Sequence, residues 1–122
     1  MTPFHPSKSR RLYRAISAAA AAQARAEFAS ARANSATHFQ PAGSPAHHRA
    51  AQTTNAKRAT VTAAGIAREL ADRAAWTTGE SADIDTRAAE DAANQARRHA
   101  ARAVLDIGAY FANWRAETLT RV

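Results

Sequence analysis

The sequence predicts an all-α fold, with a basic N-terminal helix, a flexible linker and a C-terminal antiparallel helical hairpin. Three observations lead to this prediction. Alanine, the residue with the highest helix propensity, fills 36 of the 122 positions. Pro41, Gly43 and Pro45 interrupt the chain between two alanine-rich stretches. A heptad pattern then runs through the C-terminal third and indicates helix packing.

These observations divide the chain into three parts. Residues 1–34 are predicted to form the basic arm, residues 35–55 the linker and residues 56–122 the hairpin. Ser7 or Ser9 is expected to cap the first helix, because a hydroxyl at that position accepts a backbone N–H bond.

The second helix is expected from Ala56 to Trp76, and the third to about Leu119. The stretch TTGESADID between them reads as a turn that contains a glycine stop signal. Asp83 or Asp85 is expected to cap the third helix, because the helix dipole favours a negative charge at the N-terminus. The natural partner of the third helix is the second, folded back about this turn.

The third helix carries a seam with alternating steps of four and three residues, as in a coiled coil. Its members are Ala89, Ala93, Ala96, Ala100, Ala103, Ile107, Tyr110 and Trp114. Small residues fill its first half, which permits a close approach of another helix. The large end is the predicted interaction seam, consisting of Ile107, Tyr110, Phe111 and Trp114.

The second helix offers a similar predicted stripe, made of Ala59, Ala63, Ile66, Leu70 and Ala74. Most of the large apolar side chains lie in the C-terminal half of the chain, so the core is expected there.

The charge is unevenly distributed. Residues 1–68 carry ten basic side chains and one acid, for a net charge of +9, whereas residues 69–122 have a net charge of −2. An arginine-rich segment suits bidentate contacts with phosphate oxygens, so we expect it to bind DNA or RNA. The predicted phosphate-binding residues are Lys8, Arg10, Arg11, Arg14, Arg25, Arg32, Arg49, Lys57 and Arg58.

Several function classes find no support in the sequence. Cysteine is absent, which excludes disulfides, thiolate nucleophiles and cysteine zinc sites. No glycine-rich phosphate loop, nucleophile elbow or metalloprotease motif is present. We therefore predict a non-enzymatic protein without a cofactor or a bound metal. No apolar run is long enough to predict a transmembrane segment.

The stretch SRRLYRAISAAAAAQARA, residues 9–26, allows a second interpretation. Its paired arginines, mildly apolar run and Ala22-Gln23-Ala24 tripeptide resemble a bacterial twin-arginine export signal. The absence of acids before the apolar run is also typical of an organellar transit peptide. The competing interpretation is a retained helix with a stripe formed by Leu12, Ile16, Ala20 and Phe28.

The leading functional hypothesis is an accessory protein of a nucleoprotein assembly that binds the phosphate backbone without strong sequence preference. It would be cytoplasmic or nucleoid-associated. The alternative is a helical protein–protein interaction module, a homodimer or an adaptor, that is exported or organellar if residues 1–24 are a cleaved signal. The sequence leaves open the choice between DNA and RNA, the partner and the oligomeric state.

Overall fold

Three long helices make up the described chain. The structure, a computed structural model, describes residues 7–38 and 40–120, and it describes no side chains at 106–107, 109–110 and 113–120. Helix α1 covers Lys8–Ser35, α2 covers Pro45–Trp76 and α3 covers Gly79–Thr120, and these described ranges contain no strand. The predicted all-α class is confirmed.

Local sequence explains where α1 and α2 begin. Ser7, one of the two predicted caps, accepts a hydrogen bond from the Arg10 backbone N–H through Oγ at 3.3 Å. Pro45 stands at the first position of α2, where its fixed φ fits the helix and its missing N–H costs nothing. The prediction of linker up to residue 55 is therefore wrong for 45–55, because Pro45 starts a helix here instead of interrupting one.

The connection between α2 and α3 is also shorter than predicted. Only Thr77 and Thr78 separate the two helices, and Gly79 follows with a φ of +69°, a left-handed conformation that glycine adopts without strain. The third helix thus begins before Asp83 and Asp85, and these acids lie within it rather than at its cap.

All three helices pack against one another. Lys8, at the start of α1, donates from Nζ to the carbonyl oxygen of Thr77 just after α2, at 3.1 Å. Farther along, the hydroxyls of Ser30 and Thr54 lie 3.5 Å apart, so α1 and α2 run in opposite directions. Arg11 contacts Glu90 and Arg32 contacts Phe111, so α1 and α3 run in the same direction.

Alanines from all three helices form one core cluster in the described part of the chain. In α1 the inward positions follow steps of three and four, namely Leu12, Ala15, Ala19, Ala22, Ala26, Ala29 and Ala33. The predicted stripe of larger α1 residues is wrong beyond Leu12, because Ile16, Ala20 and Phe28 are exposed. The core is therefore not confined to the C-terminal half.

The alanine half of the α3 seam is confirmed. All five members, Ala89, Ala93, Ala96, Ala100 and Ala103, are buried. The predicted α2 stripe is partly wrong: Ala63 and Ala74 are buried, whereas Ile66 points to solvent. Ala67 and Ala71 bury the face beside it, since the smaller side chains allow the helices to come closer.

Large apolar side chains lie mainly outside this core. Exposed ones are Tyr13, Ile16, Phe28, Ile66, Trp76, Ile84, Val104 and Leu105. Of the predicted interaction seam only the Phe111 side chain is described, and it is half-buried. The side chains of Ile107, Tyr110 and Trp114 lie outside the described part of the structure.

Candidate nucleic-acid interface

Two of the predicted phosphate-binding residues hold α1 to its neighbours. Lys8 is half-buried, and its ammonium donates a hydrogen bond to the carbonyl oxygen of Thr77, the residue that follows α2. The dipole of α2 favours a positive charge at this end of the helix. Arg11 forms a two-bond contact with the Glu90 carboxylate, from Nε to Oε2 at 3.2 Å and from a terminal nitrogen to Oε1. This hydrogen bonding raises the pKa of Arg11 above its ordinary range.

Arg14 faces the groove between α1 and α3. The part of this groove nearer the N-terminus of α1, which we call its lower part, is lined by Arg11, Arg14, Ala15, Ala18, Glu90, Ala93, Asn94 and Arg97. Because Arg11 is paired with the Glu90 carboxylate, the exposed Arg14 and Arg97 side chains are the cations in this part of the groove that can contact a ligand.

The groove continues along the bundle. Its upper part is lined by Arg25, Asn94, Arg97, Arg98 and Ala101. Asn94 and Arg97 belong to both parts, so the two form one continuous surface, which we call the α1/α3 groove. Across its described lining, five arginines face a single carboxylate, that of Glu90. Such an excess of guanidinium groups attracts anions, phosphates above all.

Sequence reasoning missed Arg97 and Arg98, because they lie in the half of the chain with a net negative charge. For Arg97, the heptad pattern did indicate a position next to another helix. Arg97 follows the seam residue Ala96 directly, and a position beside a seam faces the neighbouring helix. Two of the five groove arginines therefore come from the C-terminal segment, for which the net charge predicted no phosphate binding.

Arg32 is engaged with aromatic rings. Its guanidinium carbon lies 5.0 Å from the centre of the Phe111 ring and 5.9 Å from the centre of the Phe28 ring. Both distances suit cation–π attraction. Arg32 thus joins α1 to α3 about two helix turns beyond the groove arginine Arg25.

The remaining predicted residues lie elsewhere. Arg10 is exposed on the first turn of α1. Arg49, Lys57 and Arg58 are on α2, whereas the described lining of the groove comes from α1 and α3. The nine predicted residues therefore do not form one site, and only Arg11, Arg14 and Arg25 line the groove.

A second cleft lies between α2 and α3. It is lined by Gln52, Asn55, Ala56, Ala59, His99 and Arg102, so its described lining contains one arginine. In the described ranges, no three His, Asp or Glu side chains come together in a way that could hold a metal ion. This cleft is polar, but it lacks the concentrated charge of the α1/α3 groove.

Comparisons with known proteins give no assignment: no family model, curated protein or solved structure matches the chain. In the described ranges, no helix is both long enough and apolar enough to span a membrane.

Proposed function

We propose that this chain is a non-enzymatic accessory protein of a nucleoprotein assembly and that it binds the phosphate backbone through the α1/α3 groove. The observation that carries the proposal is the meeting of Arg14, Arg25, Arg97 and Arg98 along one surface. Guanidinium groups bind phosphate oxygens bidentately, and contacts with phosphates carry no base sequence information, so binding is expected to be sequence-indifferent.

The length of the groove fits a polymeric ligand. Arg14 and Arg25, which both line the groove, are eleven residues apart on α1, about 16 Å at the rise of an α-helix. A stacked strand carries one phosphate about every 3.4 Å of axis, so the groove offers room for about five nucleotides. A small anion would need only one of these arginines, whereas a polyanion uses them together.

The sequence predicts a basic arm and a hairpin of α2 and α3, and the proposal concerns how that arm binds. We propose that α1 binds nucleic acid while packed on the other helices, since its inner face belongs to the shared alanine core. The protein then acts as one folded unit at a cytoplasmic or nucleoid site.

Salt dependence tests this proposal. Four phosphate contacts predict a slope of log affinity against log salt of about −3 for a single strand and about −4 for a duplex. Fluorescence anisotropy with a labelled oligonucleotide measures the slope. In the triple variant Arg25→Ala, Arg97→Ala, Arg98→Ala, we expect the slope to fall to about −1.

The matched control changes the same net charge outside the groove, at the exposed Arg58, Arg73 and Arg102. Alanine at these three positions should leave most of the slope in place. Equal slopes for the two triple variants would contradict the groove as the binding site, and an absence of binding at low salt would contradict the function itself.

A protein–protein interaction module is the second candidate, and exposed apolar residues favour it. Trp76 is 83% exposed and Leu105 71% exposed, although large apolar side chains are usually buried. In this candidate the N-terminal residues serve as an export or transit signal. Mass spectrometry of the native N-terminus distinguishes the two, because a chain that starts near Arg25 has lost the α1 wall of the groove.

A further inference from the structure

Phe28 is an exposed aromatic ring on α1, three residues beyond the groove arginine Arg25. It is 66% exposed on α1, between the groove arginine Arg25 and the ring-stacked Arg32. An exposed phenylalanine adds nothing to the core and retains an unfavourable contact with water. Its position three residues from Arg25 places the ring on the same side of the helix as that arginine.

The ring belongs to a small stacking platform. Arg32 lies over both Phe28 and Phe111, which come from the two walls of the groove. Flat π-systems and a planar guanidinium group accept a further flat ring on a free face. We call Phe28, Arg32 and Phe111 the aromatic platform.

The surrounding charge indicates what this ring would be. Arg25 and Arg98 line the groove beside Ala101, and Arg97 connects them to its lower part. A ligand that satisfies both features carries phosphates at intervals and flat rings between them. Nucleic acid has this chemistry, and grooves that combine arginines with stacked aromatic rings are typical of single-strand binding.

The helix packing points to one strand. The buried alanines of α1 and α3 allow these helices to approach closely, because the distance between helix axes, usually about 8–10 Å, depends on the side chains at the contact. A groove between closely packed helices suits one backbone better than two. In a duplex the base faces are stacked on one another, so only an unpaired strand can place a base against Phe28.

We propose that the α1/α3 groove binds single-stranded nucleic acid, with phosphates on Arg25, Arg97 and Arg98 and a base stacked on Phe28. This inference rests on the proposed function and adds the strand class that the site recognises. It assigns Phe28 a contact that no charge-only mechanism requires.

The test compares a labelled single strand of about 20 nucleotides with a duplex of the same length, using the full chain. We expect the single strand to bind more tightly at equal salt. Phe28→Ala should weaken single-strand binding by about 5- to 100-fold, the usual loss for one stacked base. Its salt slope should stay unchanged, because no phosphate contact is removed.

Two control variants make the result specific. Phe28→Tyr retains an aromatic face and should restore binding, whereas Tyr13→Ala removes another exposed α1 ring, which is not part of the aromatic platform, and should have no effect. Circular dichroism confirms that each variant is folded.

Each failure has its own signature. If single strand and duplex bind equally and Phe28→Ala binds as the parent does, the strand assignment is overturned while phosphate binding stands. If neither ligand binds at low salt, the proposed function and this inference are both overturned.

Discussion

Three threonines occupy core positions that alanine fills elsewhere. Thr53, Thr60 and Thr86 are fully buried, and each donates its hydroxyl to the carbonyl oxygen four residues earlier, at 2.9, 2.8 and 2.6 Å respectively. The hydroxyl is thus satisfied within its own helix and needs no partner across the interface. Threonine can therefore stand in an apolar seam without a buried unpaired group.

The alanine positions should tolerate no larger side chain. Ala67 is fully buried, so Ala67→Leu forces extra methylenes between closely packed helices and should cost about 1–3 kcal/mol or more. Chemical denaturation measures this cost. Ala51→Leu, at an exposed α2 position, is the matched control and should change stability by less than about 0.5 kcal/mol. Equal effects would contradict the close packing at Ala67.

Two glycines should respond in opposite directions to the same substitution. Gly65 lies inside α2, and a methyl group at its Cα would meet no atom within 4 Å. Gly65→Ala should stabilise the protein by about 0.5–1 kcal/mol, because alanine restricts the unfolded chain and favours the helix.

Gly79 supplies the contrast, since its φ of +69° is unfavourable for any residue with a side chain. Gly79→Ala should destabilise the protein by about 1 kcal/mol. Thermal melts of both variants give the signs. Stabilisation by both substitutions would show that the left-handed turn is not needed in the folded state.

At the element scale, the buried alanine face of α1 explains why this helix packs instead of extending as an arm, and two polar contacts add to that packing. Lys8 contacts the end of α2, and Arg11 contacts Glu90 on α3. From the sequence, both Lys8 and Arg11 were predicted to bind phosphate. The half-exposed Arg11–Glu90 pair contributes little net stability, but it fixes the register of α1 on α3.

The sequence predicted the helical class, the Ser7 cap and the alanine seam of α3, because propensity, capping and heptad spacing are local signals. It missed the start of α2, because Pro45 was treated as a breaker although proline also begins helices. It missed the α1 core face, because large residues were given more weight than alanines. Arg97 and Arg98 required the tertiary packing of α1 against α3 to become part of a site.

The segment between α1 and α2 should show two levels of amide protection. Residues 45–55 lie in α2 and include the buried Ala50 and Thr53, so their amides should exchange slowly. Where residues 36–44 are described, they lie outside the helices and their backbone N–H groups donate only over short distances along the chain, so this stretch should exchange fast and be cut first by protease. Hydrogen exchange with mass spectrometry resolves the two stretches. Uniformly fast exchange across 36–55 would support the longer linker instead.

For the whole molecule, charge is divided along the bundle. Acidic residues gather near the α2–α3 connection, where Glu80, Asp83 and Asp85 lie in the first turns of α3. The groove arginines Arg25 and Arg98 lie farther along the axis. If the groove binds a polyanion as proposed, the attraction should be stronger near Arg25 and Arg98 than near the α2–α3 connection, where acids stand beside Lys8 and Arg11.

Where its side chains are described, the chain also reverses the usual placement of apolar residues, with alanines inside and many larger side chains outside. Alanine buries little area, so each residue of core contributes little stability. A bundle with such a core depends on large side chains wherever they do pack. The C-terminal part of α3 carries the densest group of them in the sequence, at Ile107, Tyr110, Phe111 and Trp114.

Trp114 continues the α3 seam one heptad beyond Ile107, on a helix that extends to Thr120. If its side chain packs as the seam predicts, Trp114→Ala should cost about 3–5 kcal/mol, a large share of the roughly 5–10 expected for so small a domain. Arg115→Ala, one position off the seam, should cost less than about 0.5 kcal/mol. Circular dichroism melts at two protein concentrations separate folding from assembly, because the melting temperature of a dimer rises with concentration and that of a monomer does not. A Trp114→Ala variant that melts like the parent would contradict the packed seam, and the aromatic cluster would then be a docking surface for another protein.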